Sequence, residues 1–251
     1  EDAHYAGFGN SHNIAINEQT GYAYSLGDNT FGGGLHFINI QDPLNPTAAG
    51  GYAEGGYTHD TQVITYDGPD SDYTGKEIAF ASNANHVEIV DVTNKSNPIQ
   101  IASFEYPATG YTHQNWLTED RKFMLLGDEG DEFDFGFNTR TIVFNISDLD
   151  NITFHMEYEG ETSSVDHNGY VIGDKYYLAN YSSGLRVVGS ATTARATLLW
   201  THGEGEARVS YLASRSIWQI THRRCSVRLK KSSLCFFAGF RCILTIFGSG
   251  Q

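Results

Sequence analysis

Two short patterns recur through this chain nearly in step, and they constrain its fold more than any other feature. The first reads LHFINIQDPLNP at 35–46, VEIVDVTNKSNP at 87–98 and TIVFNISDLDNI at 141–152, and begins again as LRVV at 185–188. Its apolar anchors Ile38, Val90, Phe144 and Val188 are 52, 54 and 44 residues apart. The second reads SHN at 11–13, THD at 58–60, THQ at 112–114 and DHN at 166–168, with histidine spacings of 47, 54 and 54. Two interleaved patterns of nearly one period mark a repeat architecture, in which each unit buries its apolar face against the next.

Each period divides into short segments of alternating apolar residues bounded by Gly, Asn, Asp and Pro, the signal of strands and turns. In the first period the segments are 13–16, 22–26, 35–40 and 47–52; in the second, 62–66, 77–82, 87–92 and 99–104. Four short strands per roughly fifty residues is the signature of a β-propeller blade, whereas a β-sandwich does not explain the period. The expectation is an all-β fold: an incomplete propeller of about four four-stranded blades whose last blade lacks strands.

Several motifs occurring in order resemble the choice-of-anchor B family, whose LVIVD-type repeats are named for strands such as VEIVDV at 87–92. The motifs are SHNIAI at 11–16, GLHFINIQDPLNP at 34–46, GYTHD at 56–60, YDGPD at 66–70, YTHQNW at 111–116, LGDE at 126–129, NTRT at 138–141 and DHN at 166–168. The resemblance covers roughly 8–188. It implies an exported, surface-attached propeller whose anchor differs among members, with no well-established catalytic activity.

Charge divides the chain at the point where the repeat breaks off. Up to Val188 there are 7 Lys+Arg against 28 Asp+Glu, a net of −21; beyond it there are 9 against 2, a net of +7. All three Cys and two of the three Trp lie beyond Val188, and all five Pro before it. Residues 1–188 are therefore read as the partial propeller and 189–251 as an atypical tail, expected to be frame-shifted or mis-spliced sequence. The apolar stretch 234–247 holds Arg241 and is short for a membrane span. The spacing of Cys225, Cys235 and Cys242 matches no zinc pattern. The absence of an initial Met points to a removed leader or a fragment. The acidic, Cys-free part carries Asn-x-Ser/Thr at Asn94, Asn145, Asn151 and Asn180, which suits an extracellular or cell-surface protein. A net of −14 argues against a phosphate-backbone partner, which needs clustered Lys and Arg. The expected partner is a surface ligand, protein or carbohydrate. Membrane attachment would need an anchor that this sequence does not display.

The repeated histidines are the leading site candidates. In a propeller, His12, His59, His113 and His167 occupy equivalent blade corners and converge on the central channel, with Asp60 and Asp166 beside them. Such a ring can bind a ligand or a transition metal. Equally, each His can bond the next blade's backbone, a corner problem every blade must solve. His36 and His86 are read as half-buried strand or loop residues. Two acidic loops offer hard oxygen ligands for Ca²⁺, the first candidate cofactor: Asp67, Asp70 and Asp72, and Asp128, Glu129 and Asp131. Neither is an EF-hand, and Thr139 stands at the twelfth position counted from Asp128. Charge runs are otherwise solvated surface. Nucleophile-elbow, zincin and P-loop signatures are absent. The leading functional expectation is a binding or adhesion scaffold, calcium-stabilised. The alternative is a glycosidase-like hydrolase or a metal-dependent enzyme at the channel. Loop and strand-end aromatics, including Tyr57 and Tyr111, can stack on sugars or pack between blades.

Overall fold

The computed structural model describes residues 3–189 together with the strands Thr197–Thr201, Val209–Ala213 and Ser216–Ile220. The chain forms two compact units, Glu1–Thr201 and His202–Gln251. In the first, sixteen strands make four antiparallel sheets, each a simple meander, arranged in a ring as a four-bladed β-propeller. Blade 1 is β1 (Asn13–Asn17), β2 (Tyr22–Leu26), β3 (Leu35–Asn39) and β4 (Thr47–Tyr52). Blade 2 is β5 (Asp60–Thr65), β6 (Glu77–Asn83), β7 (His86–Asp91) and β8 (Ile99–Phe104). Blade 3 is β9 (Thr112–Leu117), β10 (Phe123–Asp128), β11 (Arg140–Asn145) and β12 (Thr153–Glu159). Blade 4 is β13 (Gly169–Ile172), β14 (Lys175–Ala179), β15 (Leu185–Gly189) and β16 (Thr197–Thr201). The second unit contains the hairpin of β17 (Val209–Ala213) and β18 (Ser216–Ile220).

The last blade differs from expectation, because β16 supplies the fourth strand that the broken repeat left out. It pairs with β15 through Arg186↔Thr201, Val187↔Trp200, Val188↔Leu198 and Gly189↔Thr197. A five-residue segment suffices to continue an antiparallel meander, whether or not it carries the repeat's consensus. Residues 190–196, most of the basic tail, its three Cys and the stretch 234–247 lie outside the described residues. No helix among the described residues is long and apolar enough to cross a membrane.

The repeated anchors mark one structural event. In every blade the register between the third and fourth strands shifts at the anchor, at Phe37/Ile38, Ile89/Val90, Val143/Phe144 and Val187/Val188. A bulge adds local right-handed twist and turns the outer strand away from its neighbour's plane.

The core lies between blades, and middle strands such as β6 and β10 bury both of their faces. From β10, Met124 and Leu126 join Ile78, Phe80, Val87 and Ile89 of blade 2, while Leu125 joins Tyr176, Leu178 and Val188 of blade 4. Between blades 1 and 2, Tyr24, Leu26, Leu35 and Phe37 pack on Val63, Ala79, Val90 and Val92. A polar clamp reinforces this last interface: buried Glu77 accepts hydrogen bonds from Tyr24 Oη (2.7 Å), Thr20 Oγ1 (2.7 Å), Asn17 Nδ2 (3.0 Å) and Lys95 Nζ (2.7 Å). Four donors, one of them cationic, offset the desolvation of that carboxylate.

Phe80 has no solvent exposure and belongs to the blade 2–3 interface, whereas Ile14 in β1 is 45% exposed. Phe80→Ala is expected to lower stability by about 3–5 kcal/mol, and Ile14→Ala by less than about 1 kcal/mol. Urea unfolding of the two variants measures both.

Candidate functional site

The four repeated histidines stack one on the next in blade order. Ring centroids are 4.1 Å apart for His12 and His59, 4.2 Å for His59 and His113, and 4.3 Å for His113 and His167, with planes tilted 42–46°. Their backbones fix the arrangement, since each lies where an innermost strand begins to pair. The amides of His12, His59 and His167 donate to the carbonyls of Leu26 (2.8 Å), Ser82 (2.8 Å) and Ala179 (2.9 Å) at the ends of the second strands. His59 Nδ1 lies 3.0 Å from the His113 carbonyl, so that nitrogen carries the proton and Nε2 keeps its lone pair. His59 and His113 are buried, His167 is half-buried and His12 exposed. Burial, then the neighbouring imidazoles, push His59 down to about 4 and His113 well below the usual range. His12 and His167 are lowered too, burial again coming first. The arc is therefore a set of neutral imidazoles at pH 7.

The residue after each histidine does a different job. Asn13 Nδ2 (2.9 Å) and Gln114 Nε2 (3.2 Å) both donate to Asp60 Oδ2, and Gly169 N donates to Gln114 Oε1 (2.6 Å). This chain of hydrogen bonds runs through all four blades. Asp60, also held by the Thr61 amide at 2.7 Å, is thus a structural carboxyl. Its burial pushes it up to about 7, against the lowering effect of those donors.

Tyrosines surround the arc at one end of the channel. Tyr111 stands edge-on to His59 at 5.3 Å, and Tyr181 edge-on to His167 at 5.4 Å. Tyr57 and Tyr111, each in a Gly-Tyr-Thr-His run, share a hydroxyl hydrogen bond. Gly27, at φ +59°, leaves room for this corner: a Cβ there would fall 2.8 Å from both His12 Cβ and the Tyr57 hydroxyl. Glu129 completes the mouth. Its Oε2 is 3.3 Å from His113 Nε2, its Oε1 is 3.7 Å from His167 Nε2, and the Tyr181 hydroxyl donates to Oε1.

The two acidic loops are not built as the sequence suggests. Asp67 is exposed and pairs with Arg121 at 3.2 Å, and Asp72 is exposed. Asp70 accepts the Asp72 amide at 3.2 Å and the Leu149 amide at 2.8 Å, and it gathers with Asp148 and Asp150. Asp128 is fully buried and already accepts four hydrogen bonds: from Tyr106 Oη (2.7 Å), and from the amides of Gly110 (2.9 Å), Tyr111 (2.6 Å) and Gly130 (3.0 Å). It anchors the loop before β9 and has no oxygen left for a cation. Asp131 is held by Arg140 at 2.6 Å. Only Glu129 of this loop reaches the channel mouth.

Asp166 lies behind the arc, fully buried, with neither carboxyl oxygen hydrogen-bonded. Burial, then the Glu132 charge, holds it well above the usual carboxylate range, and burial pushes Glu132 up to about 8. His36 is buried in β3, more deeply than expected, between Tyr5 Oη (2.8 Å) and Thr30 Oγ1 (2.7 Å), while His86 is half-buried. The sequence did not single out Tyr181. Tyr181 replaces, from the loop after β14, the tyrosine that the fourth repeat lacks before its histidine.

No family model and no curated protein matches the chain. Solved structures match its fold. A protein from Lactobacillus plantarum aligns with TM-score 0.60 and 15% identity, over 88% of this chain and 66% of its own. The periplasmic gluconolactonase of Pseudomonas aeruginosa aligns with TM-score 0.57 and 11% identity, over 83% and 62%. A putative 6-phosphogluconolactonase of Bacteroides uniformis aligns with TM-score 0.58 and 13% identity, over 89% and 71%. The chain thus spans about two thirds of the length of these structures. At such identities the likeness is one of fold, the β-propeller.

Removing the Asp60 carboxyl strands three donors along the inter-blade chain, so Asp60→Ala is expected to lower stability by about 2–3 kcal/mol at pH 5. The folded carboxyl keeps its proton up to about 7, while the unfolded one releases it near 4. The native state therefore binds the extra proton between those values, and Asp60's contribution falls as pH rises through this window. Urea midpoints of wild type and Asp60→Ala should accordingly lie further apart at pH 5 than at pH 8.

Proposed function

We propose that this chain is part of an exported binding propeller of the choice-of-anchor B kind, which captures a small hydroxylated ligand, of the sugar class, at the channel mouth. The observation that carries this reading is the pairing of three tyrosines with four neutral imidazoles at one end of the channel. Tyr57 and Tyr181 are 39% and 59% exposed, so their faces are free to stack on a sugar ring. The imidazoles and Glu129 offer both donors and acceptors for hydroxyls. Asn13, Asp60 and Gln114, which follow three of the histidines, are taken up by inter-blade bonds, which leaves recognition to the mouth. Export is supported by the acidic surface and by the sequons: Asn94 and Asn151 are exposed in loops, whereas buried Asn180 donates to Thr139 Oγ1, Ser164 O and Val165 O.

A second reading, hydrolysis of a sugar lactone, is favoured by Glu129 standing against two neutral imidazoles. A carboxylate and an imidazole so placed can take a proton from water attacking an ester carbonyl. Gluconolactonases among the structural neighbours make an aldonolactone the substrate to try first.

Calorimetric titration with mono- and oligosaccharides and with aldonolactones tests both readings. Binding should weaken about tenfold in Tyr111→Ala. Under the hydrolytic reading, acid release from a lactone should disappear in Glu129→Gln while binding persists. A protein that binds no sugar or lactone, or binds equally well without Tyr111, overturns the proposal.

A further inference from the structure

We propose that His113, His167 and Glu129 form a three-donor site for a divalent transition-metal ion, of the zinc class, with its fourth position open to the channel mouth.

The donors come from β9 of blade 3, from the β10–β11 loop of the same blade and from the segment that leads into blade 4. His113 Nε2 lies 3.3 Å from Glu129 Oε2, His167 Nε2 lies 3.7 Å from Glu129 Oε1, and one donor atom from each residue falls within 4.8 Å of the others. In a tetrahedral zinc site with bonds of about 2.0–2.1 Å, donor atoms sit roughly 3.3 Å apart. The separations across the pocket therefore already approach those of a filled site. Two neutral imidazoles and one carboxylate are also a donor set that zinc uses when a coordination position is kept for water or substrate.

A second, independent observation points to a ligand. His113 is 1% exposed, and neither of its ring nitrogens has a hydrogen-bond partner. An imidazole always presents at least one N–H, and burying such groups unpaired costs about 1–3 kcal/mol each. Glu129 is close to Nε2 but is not aligned to accept from it. A cation between them would satisfy the Nε2 lone pair and the carboxylate together. The surroundings suit that role. The Tyr181 hydroxyl donates to Glu129 Oε1 and orients the carboxylate, as outer hydrogen bonds do for ligands at metal centres. His59, whose Nδ1 is engaged by the His113 carbonyl, buttresses the His113 ring at 4.2 Å.

Two other carboxylates of this loop are committed elsewhere. Asp128 is saturated by four donors and Asp131 is paired with Arg140. The other carboxylate group, Asp70 with Asp148 and Asp150, is an oxygen-only set at the blade 2–3 edge and serves as the control.

This site shares the channel mouth with the sugar reading but does not depend on it. The test is cobalt titration of the full-length protein after chelator treatment, followed by its visible d–d absorption. One Co²⁺ per chain is expected, with the intense band of a four- or five-coordinate site, displaced by Zn²⁺. Glu129→Gln and His167→Ala, both at partly exposed positions, should each weaken binding at least tenfold with circular dichroism unchanged. Asp70→Asn should leave it unchanged. A folded wild type that gives no band, or binding that survives both channel variants or falls only in Asp70→Asn, overturns the site. Sugar titration of the chelated protein separates the two ideas: retained sugar binding without a cobalt band removes the metal and keeps the recognition mouth.

Discussion

The rest of this structure depends on one constraint: neighbouring blades must bury the apolar faces of their middle strands against each other. Along β10, Met124 and Leu126 face blade 2 while Leu125 faces blade 4. The pleat enforces this alternation, because successive side chains point to opposite sides of a sheet. A blade alone would expose one or both faces, so stability belongs to the interfaces and the repeat is a consequence of needing one interface after another. A register shift recurs at the anchor of every blade.

With the blades set in this way, equivalent residues at the starts of the innermost strands are forced together around the channel. Two arrays result, offset by one residue. The histidines stack on one another as an arc, and Asn13, Asp60, Gln114 and the Gly169 amide stitch the blades together. A shift of one position along a strand exchanges a binding role for a structural one. That is why Asp60, which looks like a ligand beside His59, is instead a buried acceptor shared by two blades.

Much of the fold was legible because propeller geometry writes itself into the sequence at fixed spacing. Strand positions, turn positions and the convergence of His12, His59, His113 and His167 follow from the period. The acidic loops were not legible, because a carboxylate in a loop reads the same whether it binds a cation or caps backbone amides. Asp128 accepts three amides and a tyrosine hydroxyl, and Asp70 accepts the amide of Leu149, which lies 79 residues away in sequence. No local pattern announces such partners. Tyr181 was missed for a related reason: it reaches the mouth from a different loop than the tyrosines of the second and third repeats. The completion of blade 4 by β16 was also hidden, since pairing through backbone hydrogen bonds does not require the repeat's consensus.

The sequence by itself determined the blade plan and which residue types recur at the channel, because alternation and period are properties of the chain. It also determined the excess of negative charge up to Val188. Only the tertiary structure decided which of those residues are free. It spent Asp60 and Asp128 on satisfying backbone and side-chain donors, left both nitrogens of His113 without a partner, and brought Glu129 to within 3.3 Å of one of them. The reason is physical. Whether a buried polar atom is satisfied depends on every donor and acceptor that packing brings near it, and those neighbours come from other blades.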